Sequence, residues 1–227
     1  YFIHMTTSFN KLFGTFLGME FREESLVVTY VKNSPAGAAL LSSSTFPLKD
    51  MRENESAVNE VREFITKHGT HVNGVFVSIP DKWAIVKFTD IPSIKGKGKS
   101  ALAGLMRFEI ERHIPFSIEE VTYDFIVLKE KATAYSVAFA AVQKEKMDLV
   151  REFLEKLSLR AQAVTVSSFA VLNVIELSGV HAPGLQTLMG LTYKSKVLGK
   201  KGDTNISLNI DRTNANLTIV GDSICVH

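Results

Sequence analysis

Several residue groups in this chain could do chemistry, and the most suggestive is SIKGKGKS, Ser93 to Ser100. It ends in Gly-Lys-Ser between an expected strand and an expected helix, as a phosphate-cradling loop does. That template needs a glycine where Ser93 stands, and Pro92 directly precedes the stretch. It therefore reads as a flexible basic loop with Ser100 capping the following helix. His68 and His71 could reach one metal, but they straddle Gly69 and have no third ligand nearby, whereas zinc takes about three or four. His113 falls at a helix end, where the dipole favours an imidazole without any catalytic role. Cys225, the one cysteine, falls in an expected strand and reads as a small apolar residue. It leaves no internal disulfide to form, which suits a reducing compartment. The adjacent pairs Glu23-Glu24 and Glu119-Glu120 would point to opposite strand faces and make no acid–base couple. No catalytic set emerges.

The elements that would position these residues follow from periodicity. TFLGMEF (Thr15 to Phe21) and SLVVTYV (Ser25 to Val31) alternate as a hairpin, and Ala36 to Phe46 supplies a third strand. Ser56 to Gly69 places Val58, Val61, Phe64 or Ile65, and His68 on one helical face and stops at a glycine. VNGVFVSIP and KWAIVKFTDIP are strands joined by a Pro80-Asp81 turn. After the basic loop, Leu102, Met106 and Ile110 are in helical register. VTYDFIVL and YSVAFAAV are strands, and KEKMDLVREFLEKLSL is an amphipathic helix. RAQAVTVSSFAVLNVIELSG reads as a strand then a helix, and Gly179 to Asp203 as a linker. The last stretch, NISLNIDRTNANLTIVGDSICV, is strand, turn, strand, turn, strand, and echoes the first hairpin.

With 227 residues the chain can bury a real core. A net charge of +2 is too near neutral for a nucleic-acid binder. The longest apolar run, near Val137 to Val142, is far short of the ~20 residues of a spanning helix. Tyr1 to His4 precede Met5 and read as a tag remnant.

One stretch has no place in that inventory: MRFEIERHIPFSIEEVTYDF, Met106 to Phe125. Arg107 and Glu111 are four apart, Glu109 and Arg112 three apart, and each pair adds a few tenths of a kcal/mol on a solvated helix. Pro115 forces Ile114 out of the α region. Phe116 then turns back as an apolar anchor, giving a rigid corner that suits docking better than catalysis.

That stretch resembles the signature region of the PilM family, the actin-like cytoplasmic proteins of type IV pilus assembly. Arg107-Phe108-Glu109, Glu111, Ile114-Pro115-Phe116, Glu120-Val121 and Asp124 match in order. The FLGMEF hairpin, DIPSI, AVQKEKMDLVREFLEKL, AVTVSSFAVLN and LNIDRTNANLTIV extend the likeness along the chain. The cytoplasmic part of the type II secretion protein GspL is a more distant relative. The resemblance implies an α/β chain with the actin-like (RNase H-like) ATPase fold: a mixed sheet flanked by helices, with an inserted smaller α+β subdomain. Residues 1–14 would be a tag remnant and lead-in, 15–80 and 144–200 subdomain 1A, 81–143 the inserted subdomain 1B, and 201–227 the first strands of a second domain. The family continues well past this point, so the chain would be either truncated or GspL-like with a membrane span following.

The two phosphate-gripping hairpins of that fold carry an acid, a glycine and small hydroxyl residues. Here Glu20 keeps the acidic place, but Arg22, Glu23 and Glu24 replace the rest; in the second, Asn209 and Asp211 replace the acid and the glycine, and Thr213 survives. Bulky side chains block backbone approach and carboxylates repel phosphate. No cofactor is expected, ATP with magnesium being disfavoured. The resemblance thus implies a non-enzymatic scaffold, cytoplasmic and peripheral to the bacterial inner membrane through its partners, or the cytoplasmic part of a single-span protein. It would bind the N-terminal tail of a PilN-like membrane protein in a groove between the subdomains and contact other platform proteins, including the assembly ATPase. Arg107, Glu109, Arg112, Ile114, Pro115 and Phe116 would line or support the tail, and SFNKLFGTFLG would be a disordered lead-in or a weak amphipathic contact. An ATP-binding switch using Glu20, Asp211 and Thr213 is the alternative. A lipid or nucleic-acid module using Lys95 to Lys99 is weaker still.

Overall fold

A computed structural model describes residues 13–69, 71–94, 98–170, 204–210, 215–221 and 224–226, with side chains for 13–69, 71–94 and 101–170. Residues 1–12, the expected linker, Lys95, Asp211 and Thr213 lie outside the described residues, as does the side chain of Cys225. By contact density the chain separates into two units, Asp81–Asp148 and, around it, the residues up to Pro80 with Leu149–Cys225.

The first unit is built on β1 (Gly14–Phe21), β2 (Ser25–Ser34) and β3 (Gly37–Pro47), followed by α1 (Glu55–His68) and β4 (Gly74–Ile79). Alternation explains the hairpin. Leu17, Met19 and Phe21 pair in register with Tyr30, Val28 and Leu26, and all six are buried. β4 lies parallel to β1. On α1, Val58 and Val61 face inward and Phe64 meets Tyr30 and Phe46. The helix stops at Gly69, whose φ of +113° favours glycine. The Tyr30 hydroxyl donates to the Gly69 carbonyl at 3.0 Å, and burial pushes its pKa up.

The second unit holds β5 (Ala84–Pro92), α2 (Gly98–Glu111), β6 (Val121–Glu130) and β7 (Ala134–Gln143). The three strands form one antiparallel sheet in the order β5-β7-β6. The apolar run that stood out in the sequence is the central strand, β7. Met106 and Ile110 of α2 pack with Ile91, Val137, Phe139 and Ala141, and full burial of each large aliphatic side chain contributes about 1.5–3 kcal/mol. A 3₁₀ turn at Asp81–Trp83 opens the unit, where the Lys146 ammonium lies 5.6 Å from the Trp83 ring centre. α2 begins at Gly98, so Ser100 lies inside the helix and is not its N-cap.

α3 (Lys144–Lys156) leads back to the first unit, where Val150, Phe153 and Leu154 are buried and Phe153 meets Phe21 edge-on at 5.5 Å. β8 (Ala161–Val166) then pairs parallel with β4, completing the mixed sheet β3-β2-β1-β4-β8. Last come β9 (Thr204–Ile210), β10 (Ala215–Gly221) and β11 (Ile224–Val226), a separate sheet in the order β11-β10-β9. The chain thus has a mixed sheet with helices and a smaller α+β unit, in place of any single continuous barrel or bundle.

Candidate functional site: a charged corner and a closed turn

The corner at Met106 to Val121 is fixed from inside. Ile114 and Ile118 both sit in the core of the second unit, with Met106 and Ile110 before them and Val121 after. Ile118 opens a second 3₁₀ turn, Ile118–Glu120. Ser117 caps it in two directions: its hydroxyl accepts from the Glu119 amide, and its own amide donates to the Glu120 carboxylate, both at 3.3 Å. The apolar anchor expected at Phe116 is therefore Ile118; Phe116 stays exposed, because the chain leaving Pro115 turns the next residue outward before Ile118 drops into the core.

The charges pair differently from the expectation of helix spacing. Arg107 ignores Glu111 as its main partner and forms an ion pair with Glu119, twelve residues on. That pair raises the Arg107 pKa and holds the Glu119 carboxyl below the usual range. Glu109 and Arg112 do meet, at 3.4 Å. Glu109, however, is chiefly an internal strut: His113 Nε2 donates to it at 2.9 Å and the Thr89 hydroxyl of β5 at 3.3 Å. The His113 bond is the main reason its pKa is lowered, against an opposing effect of burial. Of the six residues singled out, Arg107, Arg112, Pro115 and Phe116 are thus on the surface, while Glu109 and Ile114 hold the corner from within. Sequence reasoning passed over Phe108, which is 69% exposed on the same helix face as Arg112. Its position four before Arg112 was the available signal.

Glu119 and Glu120 lie in a 3₁₀ turn, where a strand was assumed, and are occupied by Arg107 and by the Ser117 cap. His68 is held at both nitrogens, Nδ1 2.9 Å from the Phe64 carbonyl and Nε2 3.1 Å from the Ser42 hydroxyl, and its ring meets Phe64 at a tilt of 43°, centroids 4.4 Å apart. Among the described residues no group of three or more His, Cys, Asp or Glu could hold a metal.

The turn between β1 and β2 is closed on itself. Arg22 folds back to Glu20, guanidinium to carboxylate at 2.9 Å, and the Arg22 amide donates to the Ser25 carbonyl at 2.9 Å. The Glu24 carbonyl accepts from Leu48. Beside Glu20, Ser78 of β4 and Thr165 of β8 continue one row across the sheet. An anion approaching this turn finds the Arg22 cation and amide already engaged.

A family model described as type IV pilus assembly protein PilM matches residues 36–186, about two thirds of the chain. The chain belongs to the PilM family. No curated protein matches it by sequence. Among solved structures it is similar to a PilM–PilN type IV pilus biogenesis complex, with a TM-score of 0.69 and 20% identity over 93% of this chain and 59% of that one. It is also similar to the cytoplasmic domain of EpsL, an inner membrane component of the type II secretion system of Vibrio cholerae. There the TM-score is 0.51 and the identity 15%, over 69% of this chain and 59% of that one. The PilM-family chain therefore spans about three fifths of the length of these two solved structures, and shares their fold. Among the described residues, no helix is long and apolar enough to cross a membrane.

Proposed function

We propose that this chain is a non-enzymatic PilM-type scaffold at the cytoplasmic face of the inner membrane, whose corner binds the N-terminal tail of a PilN-like protein. One observation carries the reading: a stretch matching the family's signature is braced at both ends by core isoleucines, yet presents Arg107, Arg112, Pro115 and Phe116 outward. Such bracing preorganises a surface and spares a bound peptide part of the ordering cost. Partner binding in a solved relative, the PilM–PilN complex, supports the same reading. The scaffold would then link the tail to other platform proteins, including the assembly ATPase.

The closed first turn supports function without nucleotide. Mg-ATP would have to displace the Arg22–Glu20 pair and reopen an amide already bonded in the hairpin. A ligand at a hundred times its dissociation constant stabilises by about 2.7 kcal/mol, so a thermal scan with millimolar ATP and magnesium should leave the midpoint where it was. An upward shift would establish the ATP-binding switch instead.

The corner is tested by calorimetric titration with a peptide of the partner's N-terminal residues. Arg107→Glu and Phe116→Ala should each weaken binding by about tenfold or more. Equal affinity in both variants would remove the corner from the interface.

A further inference from the structure

The turn that carries Glu119 does not need the Glu119 side chain. The Ser117 hydroxyl accepts from the Glu119 amide, and the Glu120 carboxylate accepts from the Ser117 amide. Ile118 and Val121 anchor the same turn in the core. The Glu119 carboxylate takes part in none of this; it is 72% exposed and pairs with Arg107. The pair is incomplete from the arginine's side. Only Nη2 meets the carboxylate, and it meets only Oε1. A guanidinium offers five N–H donors in a fork that fits both carboxylate oxygens at once. The Arg107 side chain is 44% exposed, and no other described group accepts a hydrogen bond from its guanidinium. Two exposed aromatic rings, Phe108 and Phe116, belong to the same stretch.

We propose that Arg107 is a carboxylate-accepting subsite of the corner, which Glu119 fills as an internal surrogate until an Asp or Glu side chain of the partner's tail replaces it. This rests on the docking reading given above and adds the chemistry of the tail. The exchange keeps one carboxylate on the arginine throughout. It replaces a one-oxygen contact with a two-oxygen one, and it returns Glu119 to water, where an exposed carboxylate loses little. A tail without a carboxylate gains nothing by displacing Glu119, so the surrogate also selects against wrong partners. The matching tail carries an acidic residue for Arg107 with apolar neighbours for Phe108 and Phe116.

The test is calorimetric titration of the 227-residue chain with a peptide of the partner's N-terminal residues. The peptide is used in two forms, natural and with every Asp and Glu changed to Asn and Gln. Glu119→Gln keeps the side chain's shape and should tighten the natural peptide about threefold or more, because the competitor loses its charge. A purely bracing role for Glu119 would weaken binding instead. The amide peptide should bind the unmodified chain about threefold or more weakly, and both peptides should bind Arg107→Gln equally. Glu130→Gln removes the same charge at the far end of β6 and should leave the affinity unchanged. Urea denaturation confirms that each variant is folded. If Arg107→Glu and Phe116→Ala weaken binding but Glu119→Gln does not tighten it, or the amide peptide binds as well as the natural one, the subsite is overturned and the docking corner stands. If neither of those two corner variants matters, the corner falls and the subsite with it.

Discussion

In the turn after β1, Arg22 reaches a glutamate two residues back at the end of that strand; in α2, Arg107 reaches one twelve residues ahead in a different element. Arg22 and Glu20 can meet as soon as the hairpin forms. Such a pair needs little ordering beyond the turn and closes the site it occupies. Arg107 and Glu119 can meet only once α2 and the 3₁₀ turn are both docked on the core. The second pair is therefore a reporter of tertiary structure, and the first a local filler. An ion pair's sequence separation, more than its length, decides which of these roles it can play.

The comparison breaks most severely at Ile118. If the corner depends on its core anchor, Ile118→Ala should cost about 2–5 kcal/mol in urea denaturation. A loss near zero would mean that the charges alone hold it. Ser117→Ala comes next: removing a cap that accepts from Glu119 should cost about 1 kcal/mol by the same measurement. The smallest effect concerns Glu109 and is read through pH. Its carboxyl sits below the ordinary value of 4.5, chiefly because His113 donates to it. A depressed folded pKa stabilises above the unfolded value and is lost as pH falls through the folded one. Glu109→Gln should therefore start slightly less stable at neutral pH and lose less between pH 5 and pH 3. Parallel acid limbs in the two proteins would detach Glu109 from the corner.

Much of the fold was legible because period-two alternation is a strong signal. Leu17, Met19 and Phe21 against Leu26, Val28 and Tyr30 could hardly pair otherwise. The corner was legible in outline and misread in detail. Phe116 looked like the anchor because aromatic residues are usually buried, but two residues further along the chain lies Ile118, in a three-residue helical turn too short to show periodicity. Spacing rules also cover only helical neighbours. They found Glu109 with Arg112 and could not find Arg107 with Glu119, or Thr89 of β5 with Glu109. The start of α2 was misplaced by three residues because Ser100 is a good cap residue in a segment where glycine and lysine give no competing signal.

Trp83 and its lysine neighbour have a practical consequence. The chain's single tryptophan belongs to the inserted unit, at its opening turn, with Lys146 over the ring. The protein thus carries an intrinsic fluorophore in one of its two compact parts. Emission excited at the indole band follows the melting of that part alone, while far-ultraviolet ellipticity follows the backbone of both. Superposed curves would show the two parts melting as one cooperative block, and separated ones would give each its own midpoint without any added label.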